Sequence, residues 1–191
     1  MNSRPLIRIG IGIVIVGLIV FAVWRGGFLK GTGTATPTPE VSASGTPLVP
    51  QTPPPISYGK APADWPVYSS ASLGFKVSYP KDWVEASCGP SCVAWALASS
   101  SDTLFAGVTV SSGSLADTIT QAKPYIVASA SVTVNGITWT RLSLQHPVTG
   151  EIFTSHFVQR GTKLVEFGIS VTTPALVTEY GQMLNSFAFT K

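Results

Sequence analysis

The chain has 191 residues, of which 45% are hydrophobic and only 11% are charged, with 18 glycines, 15 prolines, two cysteines and a net charge of +3. Soluble domains usually have about 25% charged residues, so part of this chain is expected to contact lipid or to be uncharged linker. Two cysteines exclude a disulfide-dense small fold, and glycines without a three-residue period exclude a collagen-like repeat.

The excess of positive charge lies in the amino-terminal residues. Residues 1–30 contain four basic side chains and no acidic one, whereas residues 60–191 contain eight of each. Binding to nucleic acid requires basic side chains clustered on a folded face, where they neutralise phosphates. Here the surplus flanks an apolar run, and we therefore expect no nucleic-acid partner.

Residues 9–24 form an uncharged apolar run of sixteen residues between Arg8 and Arg25. As a helix this run is about 24 Å long, somewhat shorter than the hydrocarbon core of about 30 Å. The two arginines can extend to the headgroups, and Trp24 suits the membrane interface. The pattern therefore predicts a membrane anchor that contacts lipid through residues 9–24.

The anchor is expected to cross a cell membrane once and to place the rest of the chain outside the cytoplasm. Residues 1–8 form a short head before the span. Positive charges flank the span almost equally on both sides, and the free amino group adds one more at the amino terminus, which favours a cytoplasmic amino terminus. A cleaved signal peptide is the alternative to an uncleaved anchor. Its nearest small-x-small cleavage site, residues 33–35, lies nine residues beyond Trp24.

Residues 25–63 are predicted to be a linker rich in proline, threonine and glycine. Within residues 31–63, eight of 33 residues are proline and six are threonine, with almost no large apolar side chain. Such a segment cannot bury enough surface to offset the entropy lost on ordering. We expect it to be extended and disordered, and to set the reach of the domain that follows.

Residues 64–191 are long enough for one domain with a hydrophobic core. Apolar and polar residues alternate over residues 75–79, which predicts a strand ended by Pro80. Asn135-Gly136 separates two β-rich runs and predicts a type I′ hairpin turn. A second hairpin is predicted around residues 160–162, and we expect it to form the centre of the sheet.

Two helices are expected among these strands. Ser114 with Asp117 resembles a capping box, and Thr173-Pro174 provides an N-cap followed by proline at the first helical position. Strands and helices do not alternate regularly, which argues against a parallel sheet. The fold class predicted is α+β, an antiparallel sheet flanked by helices.

The run 68–83, YSSASLGFKVSYPKDW, resembles the opening of PsbP-like domains, in which Gly-Phe-x-x-x-Tyr-Pro-x-x-Trp forms the first strand and its exit. The matching positions here are Gly74, Phe75, Tyr79, Pro80 and Trp83. The later order of elements is also similar, with an Asn-Gly hairpin that carries Trp139 and a closing helix. Over residues 65–190 the resemblance implies an α-β-α sandwich and a binding or assembly module without a shared catalytic centre. The metal-binding side chains of photosynthetic members have no matching residues in this sequence.

Cys88 and Cys92 enclose the short segment Gly-Pro-Ser. Thioredoxin-like sites have two residues between the cysteines and lie at the start of a helix, where the dipole stabilises a thiolate. Here three residues separate the cysteines, and the sequence VAWALAS that follows predicts a strand. We expect a structural disulfide that closes a small loop, with a redox-active pair or free thiols as alternatives.

The sequence contains no recognisable catalytic, cofactor-binding or metal-binding motif. His146 and His156 are ten residues apart across a predicted turn, and zinc would need two further ligands. We expect His146 in a solvated loop and His156 as a surface or cross-strand pairing side chain. Four tryptophans could line a ligand groove, although core packing is their commoner use: Trp65, Trp83, Trp95 and Trp139.

These observations favour a membrane-anchored, extracytoplasmic PsbP-like domain that is not an enzyme and needs no cofactor. Its expected role is to bind a protein or cell-envelope partner, whose identity the sequence leaves open. The alternative is an extracytoplasmic thiol-disulfide or other envelope enzyme that uses Cys88 and Cys92. A structural component of a cell coat is a third possibility.

Overall fold

The structure, a computed structural model, describes residues 55–97, 104–147, 150–169 and 174–190. The predicted head and anchor, with Arg8, Trp24 and Arg25, and most of the predicted linker lie outside these ranges. Within them, none of the helices has the length and apolar character needed to cross a membrane.

The described strands form two antiparallel sheets. The small sheet has the order β1-β2-β10 and joins both ends of the domain: β1 (Val67–Ser70), β2 (Phe75–Ser78) and β10 (Ala188–Phe189). The large sheet has the order β3-β4-β5-β9-β8-β7-β6 and consists of β3 (Trp83–Ser87), β4 (Cys92–Leu97), β5 (Leu104–Ser112), β6 (Ile126–Val134), β7 (Ile137–Gln145), β8 (Ile152–Arg160) and β9 (Lys163–Ile169). All neighbouring strands of the large sheet are antiparallel.

Local turn chemistry fixes two hairpins of the large sheet. Asn135 and Gly136, between β6 and β7, have φ angles of 49° and 73°, as the type I′ turn requires. Gly161, between β8 and β9, also has a positive φ, of 60°. Both predicted hairpins are confirmed, and β9 lies at the centre of the large sheet, as expected.

Two helices pack on opposite faces of the large sheet: α1 (Leu115–Ala122), followed by a 3-10 turn (Lys123–Tyr125), and α2 (Pro174–Ser186). The predicted N-cap of α1 is formed, because Ser114 Oγ accepts a hydrogen bond of 3.0 Å from the Asp117 N–H. Leu115 and Ile119 of α1 pack against a small cluster of Leu142, Phe157 and Leu164.

The main core lies between the other face of the large sheet, α2 and the small sheet. Its largest fully buried side chains come from all three layers: Trp95, Trp139, Tyr180, Phe75, Phe167 and Phe187. The predicted α+β class, with helices on both faces of an antiparallel sheet, is confirmed. The small sheet is an addition, and it includes the strand at residues 75–78 that the sequence predicted.

Candidate functional site

Cys88 and Cys92 form a disulfide at the β3–β4 hairpin, with their Cα atoms 5.5 Å apart. The strand β4 begins at Cys92, and the backbone N–H of Val110 on β5 bonds to the Ser91 carbonyl at 2.8 Å. The cysteines are therefore joined as predicted, within a strand hairpin. No helix begins at the pair to stabilise a thiolate, which is the usual arrangement in redox dithiols.

The five residues of the Gly-Phe-x-x-x-Tyr-Pro-x-x-Trp motif form turns and packing contacts near the junction of the two sheets. Gly74 has a φ of 79°, a conformation that favours glycine, and it precedes the buried Phe75 at the start of β2. Phe75 stacks on Phe187 with ring centroids 5.2 Å apart. The other three motif residues lead from β2 into β3. The ring of Tyr79 contacts the ring of Trp95. Pro80 and Trp83 are both buried, and the carbonyl oxygen of Pro80 accepts a hydrogen bond from the backbone N–H of Trp83.

A buried polar network is centred on His156, which lies on β8 and is 0% exposed. Its Nε2 is 2.9 Å from Tyr58 Oη, and its Nδ1 is 2.7 Å from Tyr180 Oη on α2. Tyr180 Oη also donates to the carbonyl oxygen of Phe167 on β9, at 2.5 Å. His156 is thus an interior residue rather than a surface one, and it links three separate parts of the chain.

The network has one consistent arrangement of protons. Tyr180 donates its only hydroxyl proton to the Phe167 carbonyl, so it must accept a proton from Nδ1 of His156. A neutral imidazole then has an unprotonated Nε2, which accepts the Tyr58 hydroxyl proton. Tyr58 in turn interacts with the guanidinium of Arg141, which can only donate. The hydrogen bonds therefore run in one direction from Arg141 to His156.

Burial and the charge of Arg141 determine the protonation of this network. Burial, and to a smaller extent the positive charge of Arg141, which lies opposite His156 on β7, together lower the pKa of His156 to about 3. Burial raises the pKa of Tyr58 and Tyr180, while Arg141 opposes both increases. Near neutral pH the imidazole and both phenols are uncharged. A neutral histidine without solvent contact has no route to a substrate, so the network is suited to holding elements together.

The element that the network holds is the segment of residues 55–60, which precedes β1. Asn185 of α2 donates to the carbonyl of Gly59 at 3.0 Å, and Ile56 packs against the main core. Gly181 of α2 lies so close that a Cβ atom there would be 2.0 Å from the Ser57 carbonyl oxygen. Among the described residues, packing of the domain thus includes residue 56, inside the range 25–63 that was predicted as linker.

A second polar contact lies on the opposite face of the large sheet. Ser155 of β8 donates a hydrogen bond of 2.8 Å to Glu166 of β9. Burial raises the pKa of Glu166, and the bond from Ser155 opposes the increase. A Cβ atom at Gly168 would lie 2.9 Å from Ser155 Oγ, so glycine leaves the space for this contact. The pair is a local polar contact within the sheet.

The two histidines do not meet. The ring of His146 contacts Phe153, with centroids 6.3 Å apart, whereas His156 lies three residues further along β8 and faces α2. In the part of the chain that the structure describes, no three His, Cys, Asp or Glu residues are grouped so that they could hold a metal ion.

The four tryptophans of the described residues belong to the core rather than to a groove. Trp83, Trp95 and Trp139 are at most 2% exposed, and Trp65 packs against the same cluster. The sequence analysis missed the Tyr58–His156–Tyr180 network. Its available signal was the pair of large side chains Ile56 and Tyr58, immediately after three prolines.

Comparison with known proteins gives partial similarities. No family model matches the chain, and no curated protein matches it significantly. A crystal structure from Bacteroides thetaiotaomicron VPI-5482 is 17% identical, with a TM-score of 0.45, and the match covers 65% of this chain and 48% of that protein. Cyanobacterial PsbP (CyanoP) from Synechocystis sp. PCC 6803 is 15% identical, with a TM-score of 0.47, over 69% of this chain and 98% of that protein. This chain thus spans about half of the Bacteroides protein, and with TM-scores below 0.5 neither similarity establishes a family.

Proposed function

We propose that this chain is a membrane-anchored, extracytoplasmic PsbP-like module that binds a protein or cell-envelope partner and catalyses no reaction. The observation that carries the proposal is that the buried network joins parts of the fold to each other and does not face a substrate site. Tyr58, His156 and Tyr180 hold residues 55–60 against the sheet and α2. This network is thus used to attach residues 55–60 to the rest of the domain.

This attachment suits a tethered module. Residues 55–60 are the part of the domain closest in sequence to the apolar run 9–24. Because Gly181 and Asn185 of α2 contact this segment, the upstream chain enters the domain at a defined place on α2. The upstream chain therefore leaves the domain from one defined place, and the predicted linker before it sets how far the domain can reach toward a partner.

The cysteines favour a structural role over the alternative of an envelope thiol enzyme. Cys88 and Cys92 join the two strands of one hairpin, and both are half-buried. An enzyme of the thiol-disulfide class requires an accessible thiolate of lowered pKa, usually at a helix N-terminus. We therefore assign the pair to holding β3 beside β4.

Localisation of the full chain tests the anchor. We expect the wild-type chain in the membrane fraction, released by detergent and not by alkaline carbonate, with a carboxyl-terminal tag accessible to protease on intact cells. The double variant Val14→Asp, Leu18→Arg should leave the membrane, because each charge at the centre of a span costs about 3 kcal/mol. The variant Val67→Asp, on the exposed edge of β1, is the matched control. A wild-type chain that is soluble in the cytoplasm with both thiols reduced would contradict the proposal.

Crosslinking on intact cells tests the binding role. We expect the wild-type chain and the variant Cys88→Ser, Cys92→Ser to capture the same specific partner. If the double variant stays folded but loses its function in the cell, and the wild-type chain reduces or oxidises a dithiol substrate catalytically, the thiol enzyme is correct and the binding module is wrong.

A further inference from the structure

Strand β6 (Ile126–Val134) forms one edge of the large sheet. It pairs with β7 on one side, and no strand of the described residues pairs with it on the other. Its nine residues, IVASASVTV, contain no charged residue and no proline. Exposed edges with these properties are ready to pair with another strand, because their free N–H and C=O groups need partners.

The other edges of the two sheets are less suited to pairing. The edge strand β3 has five residues, carries Glu85 and is followed directly by the disulfide loop. The edge strand β1 has only four residues. Natural sheets use short edges and charges to prevent association, and β6 lacks both protections. Its one irregularity is a bulge between Ile126 and Ala128, which leaves the stretch 128–134 regular.

The side chains of β6 are sorted by chemistry onto the two faces of the sheet. Val132 pairs with the buried Trp139 on β7, so residues of the same parity share the face of the main core. In the regular stretch 128–134, that face carries only alanine and valine, at Ala128, Ala130, Val132 and Val134, and the opposite face carries only hydroxyls, at Ser129, Ser131 and Thr133. Before the bulge, Ile126 packs with the cluster on the opposite face.

We propose that β6 pairs antiparallel with β6 of a second copy of this chain, about a two-fold axis at Ser131. In this register Ser131 lies opposite itself, Ala130 opposite Val132, and Ser129 opposite Thr133. Over residues 128–134, every apolar residue then meets an apolar one and every hydroxyl meets a hydroxyl, and Ser–Thr pairs can hydrogen-bond across the strands. No like charges face each other, and the large sheets of the two copies become one continuous sheet.

The regular part of β6 favours a second copy over an unrelated peptide, because its pattern reads the same in both directions. A strand that pairs with itself across a two-fold axis must match in both directions at once, as isologous interfaces require. The residues concerned are accessible, since Ser129, Ala130, Ser131 and Thr133 are all exposed. The proposal does not depend on the membrane anchor, and it adds a self-association surface to the binding role.

Position-specific disulfide crosslinking of the full chain in mild detergent tests the register. At the two-fold axis, opposite Cα atoms are about 5 Å apart, within the Cα–Cα range of a disulfide. Two copies of residue 133 would be four positions apart, about 13 Å, which is too far. We therefore expect Ser131→Cys to form a covalent dimer on mild oxidation and Thr133→Cys not to do so. A mixture of Ser129→Cys and Thr133→Cys chains should form the mixed dimer.

A charged variant tests the surface without added cysteines. Ser131→Lys places two positive charges opposite each other and should weaken the dimer about tenfold or more, measured by sedimentation of the full chain in detergent. Thr138→Lys is the matched control, because Thr138 is exposed on the same face but lies on β7. Thermal unfolding of each variant checks that the monomer is intact. Equal crosslinking at positions 131 and 133, a monomeric wild-type chain, or crosslinking of Ser131→Cys only to a different protein would overturn the proposal.

Discussion

At the scale of single residues, burial gives His156 its role. The imidazole lies between two phenol hydroxyls, and its neutral form satisfies both of them. Protonation would turn Nε2 into a donor facing the Tyr58 hydroxyl, which also interacts with Arg141. Two donors and a positive charge would then converge on one oxygen atom. The network is therefore stable only while His156 is neutral.

This arrangement predicts a pH dependence of folding stability. The pKa of His156 is about 3 when folded and about 6.5 when unfolded, so the unfolded chain binds the extra proton between these values. The stabilisation is complete above about pH 6.5 and is lost as pH falls toward 3, by about 1.4 kcal/mol per unit within that window. Glu166, with a raised pKa, acts in the opposite sense as pH rises above its ordinary value.

Urea unfolding from pH 4 to 7, followed by tryptophan fluorescence, measures this dependence. The variant His156→Gln cannot take up the proton, and we expect it to be less stable at pH 7 but to lose most of the slope. Thr138→Gln is the control and should keep the wild-type slope, because Thr138 is exposed, does not titrate and lies outside the network. An unchanged slope in His156→Gln would mean that other groups cause the acid sensitivity.

At the scale of elements, the disulfide connects the edge strand β3 to β4. Cys88 and Cys92 close a loop with a sequence separation of four residues. Such a short loop gives about 2 kcal/mol of stability in the chain-entropy description, chiefly by restricting the unfolded chain. Among the described strands β3 pairs with β4 alone, so the effect should be concentrated at this edge of the sheet.

We expect the variant Cys88→Ser, Cys92→Ser to be about 2 kcal/mol less stable than the oxidised wild-type chain. Urea unfolding gives the total loss, and hydrogen exchange locates it. Amides of β3 should exchange faster in the variant, while those of the central β9 should change only with global stability. Wild-type chain treated with reductant is the control and should match the variant. Equal loss of protection throughout the sheet would contradict a local effect.

The elements themselves were largely predictable from the sequence. The Asn135-Gly136 turn and the Ser114 cap depend on contacts between neighbours in sequence, and both formed as expected. The pairing of β10 with β2 places Ala188 opposite Lys76, and no pattern in the sequence near either residue predicts it. A two-residue strand has too few side chains to show alternation, so only the folded chain reveals the small sheet.

At the scale of the whole molecule, the domain begins earlier than its composition suggested. Proline-rich sequence led to a predicted linker up to residue 63, yet Ile56 and Tyr58 pack against the core. A fragment that starts at residue 64 would leave Nε2 of His156 buried without the Tyr58 hydroxyl. An unsatisfied buried polar group costs about 1–3 kcal/mol, and the apolar contacts of Ile56 and Tyr58 would be lost as well.

We therefore expect fragment 55–191 to unfold cooperatively and fragment 64–191 to be several kcal/mol less stable or to remain unfolded. Thermal unfolding of the two purified fragments measures the difference. Tyr58→Phe in the longer fragment separates the hydrogen bond from the packing, and it should account for only part of the loss. Equal stability of both fragments would mean that residues 55–63 do not stabilise the domain and belong to the linker.

The sequence by itself determined the features that depend on neighbouring residues and on composition. These are the turns, the helix cap, the α+β class and the charge-balanced body of the chain. Tertiary structure alone decided that His156 is interior, that residues 55–60 lie on α2 and that the first and last strands of the described domain share a small sheet. Each of these joins residues distant in sequence, as Tyr58 and His156 are, 98 positions apart. Such contacts depend on the shape left between packed elements, which no local pattern encodes.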